Sequence, residues 1–275
     1  MSSPPVVTPS GSEPPRGLCD AGWRPGIMRC VSEVEYAAGL AVLALLTVGL
    51  GWWAGIGLRW APLLALGRAT VQLGVITLLL RGILSVPWTV LAFIALMLTT
   101  ASVTAGGRIR ELPRGRRFAV TGVLSGSLIA LALVLALRLV HLDVRHVVAI
   151  SGIVIGGAMS AATLSGRHFL HTARLRRDEV EGWLSLGATP SQAYGEIGRT
   201  AVREALLPNL DQTRATGLVT LPGAFVGALF GGAGPIDAAK FQLVVLAALA
   251  LAMTICGIVV TRLAGRSPYV VAGDP

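Results

Sequence analysis

Charge is scarce in this 275-residue chain: Asp, Glu, Lys and Arg together make up 13% of it, about half the share of an ordinary soluble domain. That scarcity argues against a water-soluble globule. Lysine is nearly missing. The formal charge of +9 is carried by arginine, and Lys240, flanked by Ala239 and Phe241, is the single lysine. A phosphate-cradling Walker A loop needs Gly-Lys followed by Ser or Thr, so the chain does not hydrolyse ATP by that route. The three cysteines have no paired spacing, which excludes a disulfide-stapled scaffold and a Cys-based zinc module. Hydrophobic residues, in contrast, make up 53% of the chain, and mean hydropathy is +0.72. The arginines stand in short blocks between long apolar runs. That is the pattern of a multi-pass membrane protein oriented by its loops, not of a nucleic-acid binder.

The N-terminal residues 1–32 read differently. Pro4, Pro5, Pro9, Pro14, Pro15 and Pro25 stand among Ser and Gly with no apolar run, so the segment is expected to be a disordered tail. It lacks the apolar core of a signal peptide, Met28 is an alternative start, and Cys19 and Cys30 have no geometry that implies a pair. A permease-sized membrane domain is expected over 33–266, followed by a short C-terminal tail, 267–275. Seven apolar segments fill that domain, at 34–50, 61–80, 86–103, 118–137, 147–164, 211–230 and 241–263, each near the ~20 residues that cross a bilayer. Glycines recur at four-residue spacing (Gly122/Gly126, Gly152/Gly156, Gly223/Gly227/Gly231), which permits close helix approach. With seven spans, the connections holding Arg108 to Arg117, Arg167 to Arg203, and Arg262 with Arg266 fall on one side. The positive-inside rule makes that side cytoplasmic. The expectation is an all-α, multi-pass plasma (inner) membrane protein with its N-terminus outside and its C-terminus inside.

Residues 167–209 form the one long connection. Arg174 to Leu186 reads as helix, Gly187-Ala188 breaks it, and Thr189-Pro190-Ser191-Gln192 opens a second helix. Thr189 suits the N-cap, Pro190 the first helical position, and Gln192 completes a capping box. Ala193, Ile197, Ala201 and Ala205 then form an apolar stripe at four-residue spacing. A cytoplasmic helix–turn–helix of this kind suits docking against another protein; a solvated hairpin is the plainer reading.

Glu181-Gly182-Trp183, Gly187 and Ile197 follow the spacing of the coupling loop of ABC-transporter permeases, with Gly182-Trp183 in place of two alanines. Leu184 to Pro190, Leu207-Pro208-Asn209-Leu210-Asp211, Gly217 to Gly223, Pro235, Ala238, Phe241 and Gln242, together with Arg68 to Leu73, extend the likeness. From the first span to Leu263 the chain resembles the Fet-type iron-export ABC transporter permeases and the related plant aluminium-tolerance membrane proteins. The resemblance implies a homodimeric permease that itself binds no cofactor, with ATP and Mg used by a separate cytoplasmic ATP-binding subunit. Arg177, Glu181, Gly187, Ala188, Thr189 and Pro190 would meet that subunit. It also implies metal export, although the plant relatives are linked to nucleotide-sugar movement. Where the iron exporters carry Met-Met after Leu-Pro-Gly and an Asn in the fifth span, this chain has Ala224-Phe225 and Gly157, which removes soft and amide ligands there.

Polar residues inside apolar spans mark pathways or partners. Arg68 and Gln72 share a face of the second span. Asp211 and Arg214 can pair at three-residue spacing. Pro222, between Leu221 and Gly223, is expected to interrupt the sixth span, and broken helices are frequent transporter sites. Met159 is the remaining soft group in the fifth span. Arg68, Gln72, Met159, Asp211, Leu221, Pro222 and Gly223 form the expected translocation path. His168 and His171 lack a carboxylate partner for a metal site. An ion-coupled carrier or channel would want intramembrane carboxylates, and Asp211 lies at a boundary. A scaffold that moves nothing would need neither Arg68 nor a broken helix.

Overall fold

The computed structural model describes residues 33–57, 60–83, 87–140 and 143–267. The expectations for 1–32, including Cys19 and Cys30, and for the tail beyond Ser267 lie outside them. The described residues divide into two compact units, one ending at Leu80 and the other beginning at Arg81. Among the described residues ten helices run in order: α1 (Glu33–Trp53), α2 (Ala61–Ile83), α3 (Pro87–Arg108), α4 (Gly115–Ala136), α5 (Val144–Leu175), α6 (Arg177–Ser185), α7 (Pro190–Ala193), α8 (Gly195–Ala215), α9 (Gly223–Phe230) and α10 (Pro235–Gly265). Five contain segments long and apolar enough to cross a membrane: Val34–Trp53, Thr89–Arg108, Gly115–Ala136, Val144–Leu175 and Pro235–Gly265. Ala61–Thr77 is a shorter apolar helix.

The first unit holds α1 and α2 as far as Leu80, and their described side chains are largely exposed. In the second unit α10 packs along α4, α5 and α8, with α3 against α4 and α5. Small residues make this possible. A Cβ on Gly126 of α4 would stand 2.5 Å from the Ala252 carbonyl, and one on Gly122 would stand 2.6 Å from the Val260 side chain. The Gly122/Gly126 pair therefore works in internal packing. Gly223 and Gly227, with the same spacing, face open space. Ala119, Val123, Ala158, Ala162, Phe169, Cys256 and Val260 are fully enclosed at the centre.

Two boundaries differ from the sequence expectation. First, α5 is 32 residues long, about 48 Å at 1.5 Å per residue, so it outruns a ~30 Å hydrocarbon core. The helix expected over 174–186 is split, with α5 continuing through Leu175 and α6 starting after Arg176. Second, the sixth apolar segment, 211–230, is not one helix. α8 ends at Ala215, the chain turns through Gly217 at φ +96°, and Thr216 bridges to Thr220. Pro222 then serves as the N-cap of the eight-residue α9. The proline does not kink a continuous helix; it starts a new one. Hydropathy is blind to this break because apolar residues continue across it.

Candidate functional site

The helix–turn–helix lies at the end of the second unit where α3 gives way to α4 and α10 terminates. Arg174 near the end of α5 pairs with Glu111 of the α3–α4 connection at 3.1 Å. A Cβ on Gly265, the last residue of α10, would meet Tyr194 at 3.4 Å. The five arginines from Arg108 to Arg117 and the six from Arg167 to Arg203 thus gather toward one end.

The turn is locked by its own backbone. Gly187 adopts φ +87°, its N–H donates to the Leu184 carbonyl at 3.0 Å, and the Ala188 N–H donates to the Trp183 carbonyl at 3.0 Å. This is a complete Schellman closure of α6, and it requires the left-handed residue that glycine supplies. The exit is capped as the sequence predicts. Pro190 occupies the first turn of α7, and Gln192 Oε1 accepts the Thr189 N–H at 2.8 Å. Tyr194 makes a one-residue irregularity between α7 and α8, but its carbonyl accepts the Gly198 N–H at 2.9 Å, so the two helices run on.

Packing ties this tip to the bundle. Val180, Ala193, Tyr194, Ile197, Ala201 and Ala205 are buried, so the predicted stripe from Ala193 to Ala205 faces inward. The Tyr194 ring lies 5.6 Å from that of Phe169 on α5. Burial, helped by the Glu181 carboxylate, raises the Tyr194 hydroxyl above its ordinary pKa of 10.0. Arg176, between α5 and α6, holds Glu179 through two contacts of 2.6 and 2.7 Å and reaches Glu196 of α8 at 3.5 Å. Arg177 donates to Glu181 at 2.7 Å. Two apolar side chains stay outward among the exposed polar residues of α6 and the turn: Leu186 is 83% exposed and Trp183 52%. Burying a side chain of Leu size is worth about 1.5–3 kcal/mol, so a rigid tip presenting these two residues beside Arg177 and Glu181 is suited to docking.

The expected path residues are placed as follows. Arg68 and Gln72 are exposed on α2, four residues apart, in the first unit. Met159 is partly buried against the central core. Asp211 pairs with Arg214 at 3.2 Å on the exposed end of α8. Leu221 and Gly223 are exposed and Pro222 is half-buried at the start of α9. The Phe225 N–H, in the first turn of α9, donates to Oε1 of Gln242 at 3.1 Å, and Gln242 is itself buried on α10. His168 is half-buried and His171 exposed on α5. Among the described residues no three His, Cys, Asp or Glu side chains converge on a metal-sized site.

Sequence reasoning did not single out Arg176, Tyr194 or the role of Gln242. A lone amide in the apolar α10 was the available signal for Gln242; Arg176 and Tyr194 acquire their roles only through tertiary contacts.

Residues 35–269 match the Uncharacterised protein family (UPF0014). The chain belongs to this family. Rice UPF0014 membrane protein STAR2 is 36% identical over 244 residues, covering 87% of this chain and 85% of that protein. Protein ALUMINUM SENSITIVE 3 of Arabidopsis thaliana is 33% identical, with 84% and 85% covered. The Probable iron export permease protein FetB of Escherichia coli is 29% identical, with 74% and 80% covered. No solved structure matches. The UPF0014 match spans both units and includes the tip. Together with the apolar helices, it makes this an all-α multi-pass membrane protein.

Proposed function

We propose that this UPF0014 chain is the membrane-spanning permease subunit of an ABC transporter, working as a homodimer. A separate ATP-binding subunit seats on the tip from Arg177 to Pro190. The observation that carries this reading is the Schellman-locked turn at Gly187, which presents Trp183 and Leu186 outward while Val180 and Tyr194 anchor it to α5 and α10. ATP hydrolysis belongs to the partner, so this chain is not itself the enzyme. The arginine-rich end of the bundle is cytoplasmic by the positive-inside rule, which puts the tip and the C-terminus inside and the N-terminus outside an inner membrane. Arg68, Gln72 and the broken segment around Leu221, Pro222 and Gly223 line the route.

The cargo is a metal ion, moved outward. The name of the Escherichia coli relative, an iron export permease, supports this. A second reading, a non-metal cargo such as a nucleotide sugar, is favoured by Ala224 and Phe225 on α9, which offer no soft ligand. An ion-coupled carrier is the rival mechanism.

Co-purification tests the proposal. The tagged chain, extracted in mild detergent from its native host, should bring down a stoichiometric ATP-binding subunit. Glu181→Lys and Gly187→Trp should lose that subunit or uncouple its hydrolysis from transport while remaining in the membrane. If both variants transport normally, the tip is not the coupling element.

A further inference from the structure

The connection between α3 and α4 carries a feature that the transport reading does not use. Arg110, Arg114, Arg116 and Arg117 line an open-mouthed cavity of about 410 Å³ together with Leu112 and Gly115. All four arginines are exposed. Among the described residues none of the four is ion-paired, whereas the neighbouring Glu111 is committed to Arg174 at 3.1 Å. Four guanidinium groups concentrated around one cleft repel one another, and an anion in the cleft relieves that repulsion.

The cleft is preformed. Ile109 and Leu112 are buried at 2% exposure and anchor the connection in the core. The Gly115 N–H closes onto the Leu112 carbonyl at 2.8 Å. Gly115 packs so tightly on the Ile109 carbonyl that no Cβ fits there. Arg114 is held at φ +59°, ψ +22° as the residue before α4. The flanking helices, long and apolar enough to cross a membrane, indicate its height. One span, Thr89–Arg108, ends just before the cleft and the next, Gly115–Ala136, begins within it. That places the guanidinium groups near the boundary between hydrocarbon and headgroups.

We infer that this cleft is a binding site for the phosphate headgroup of an anionic phospholipid. Arginine forks grip phosphate oxygens in pairs, and the amino end of α4 adds its favourable dipole. A soluble phosphate shares the chemistry, but the position at the membrane edge favours the lipid. The inference needs only that α3 and α4 span the membrane; it stands whether or not the chain works with an ATPase.

Native mass spectrometry of the purified full-length chain, titrated with phosphatidylglycerol or phosphatidylcholine, tests it. A basic residue at a membrane surface is worth roughly fivefold in affinity for anionic lipid. Arg114→Gln/Arg116→Gln/Arg117→Gln should therefore weaken the first bound phosphatidylglycerol on the order of 100-fold, and high salt should weaken it in the wild type. The corresponding triple Lys variant, which keeps the charge but not the forked grip, should bind with an affinity between those of the wild type and the triple Gln variant, and Arg199→Gln/Arg203→Gln, outside the cleft, should leave it unchanged. Equal binding of the two lipids overturns the inference, as does an undiminished triple Gln variant. Inorganic phosphate that binds the wild type as tightly as the lipid also overturns it, because the site then serves a soluble anion. So does a triple variant that keeps its lipid but loses a co-purifying protein, because the cluster is then a protein-docking surface.

Discussion

Gly187 offers the sharpest test of how the tip is built. Its φ of +87° lies in the left-handed region, and a Cβ placed there meets nothing within 4 Å. The cost of a side chain is therefore conformational alone, about 1–2 kcal/mol for alanine. That corresponds to a roughly five- to thirtyfold loss in the population of the closed turn relative to its opened forms. Asn tolerates the left-handed region better than other residues, and β-branching makes Val worse than Ala. The series Gly187→Asn, Gly187→Ala and Gly187→Val should thus lose retention of the partner ATPase in that order, measured as the subunit ratio after purification and as substrate-stimulated hydrolysis. Helix content and thermal midpoint should stay close to wild type throughout, because the α5, α8 and α10 packing is untouched. A Val variant that retains the partner as well as Asn does would refute the claim that the Schellman geometry presents the docking face.

Gly126→Ala should destabilise the bundle by about 1–3 kcal/mol through overpacking, because its Cβ would press on the Ala252 carbonyl. Gly156→Ala on α5, where nothing lies within 4 Å, should be neutral or mildly stabilising; the comparison is read from thermal midpoints in one detergent, and equal midpoints would remove Gly126 from the packing account. Tyr194 predicts an alkaline limb. Its folded pKa is raised above the unfolded value of 10.0, so its stabilisation is complete below about pH 10 and is lost as pH climbs through the folded pKa. Tyr194→Phe should flatten that decline in thermal midpoint, and parallel slopes for the two proteins would contradict the burial argument.

The membrane character, the turn and the buried stripe were legible because each is written in short-range chemistry: long apolar runs, Gly187, the Thr189–Gln192 cap, and four-residue spacing from Ala193 to Ala205. The junction at Arg176 was not legible. Good helix formers flank it on both sides, and the interruption coincides with a side chain held by Glu179 and by Glu196, which lies seventeen residues further on. The end of α8 was half-legible. Gly217 and Pro222 stood in view, but continuous hydropathy from 211 to 230 outweighed them, and the backbone followed the glycine. The contact of Gln242 with the Phe225 N–H joins residues seventeen apart across a turn whose shape no local signal specifies.

Tyr194 has a mechanical consequence. It is only 2% exposed, wedged against Phe169 of α5 and against the final residue of α10, and it stands four residues beyond Pro190. The tip has no hinge of its own there. Lifting the turn away from the bundle would open a hole the size of a tyrosine side chain, whereas tilting it together with the ends of α5 and α10 opens none. Displacing the tip without leaving a packing defect therefore requires the ends of α5 and α10 to move with it.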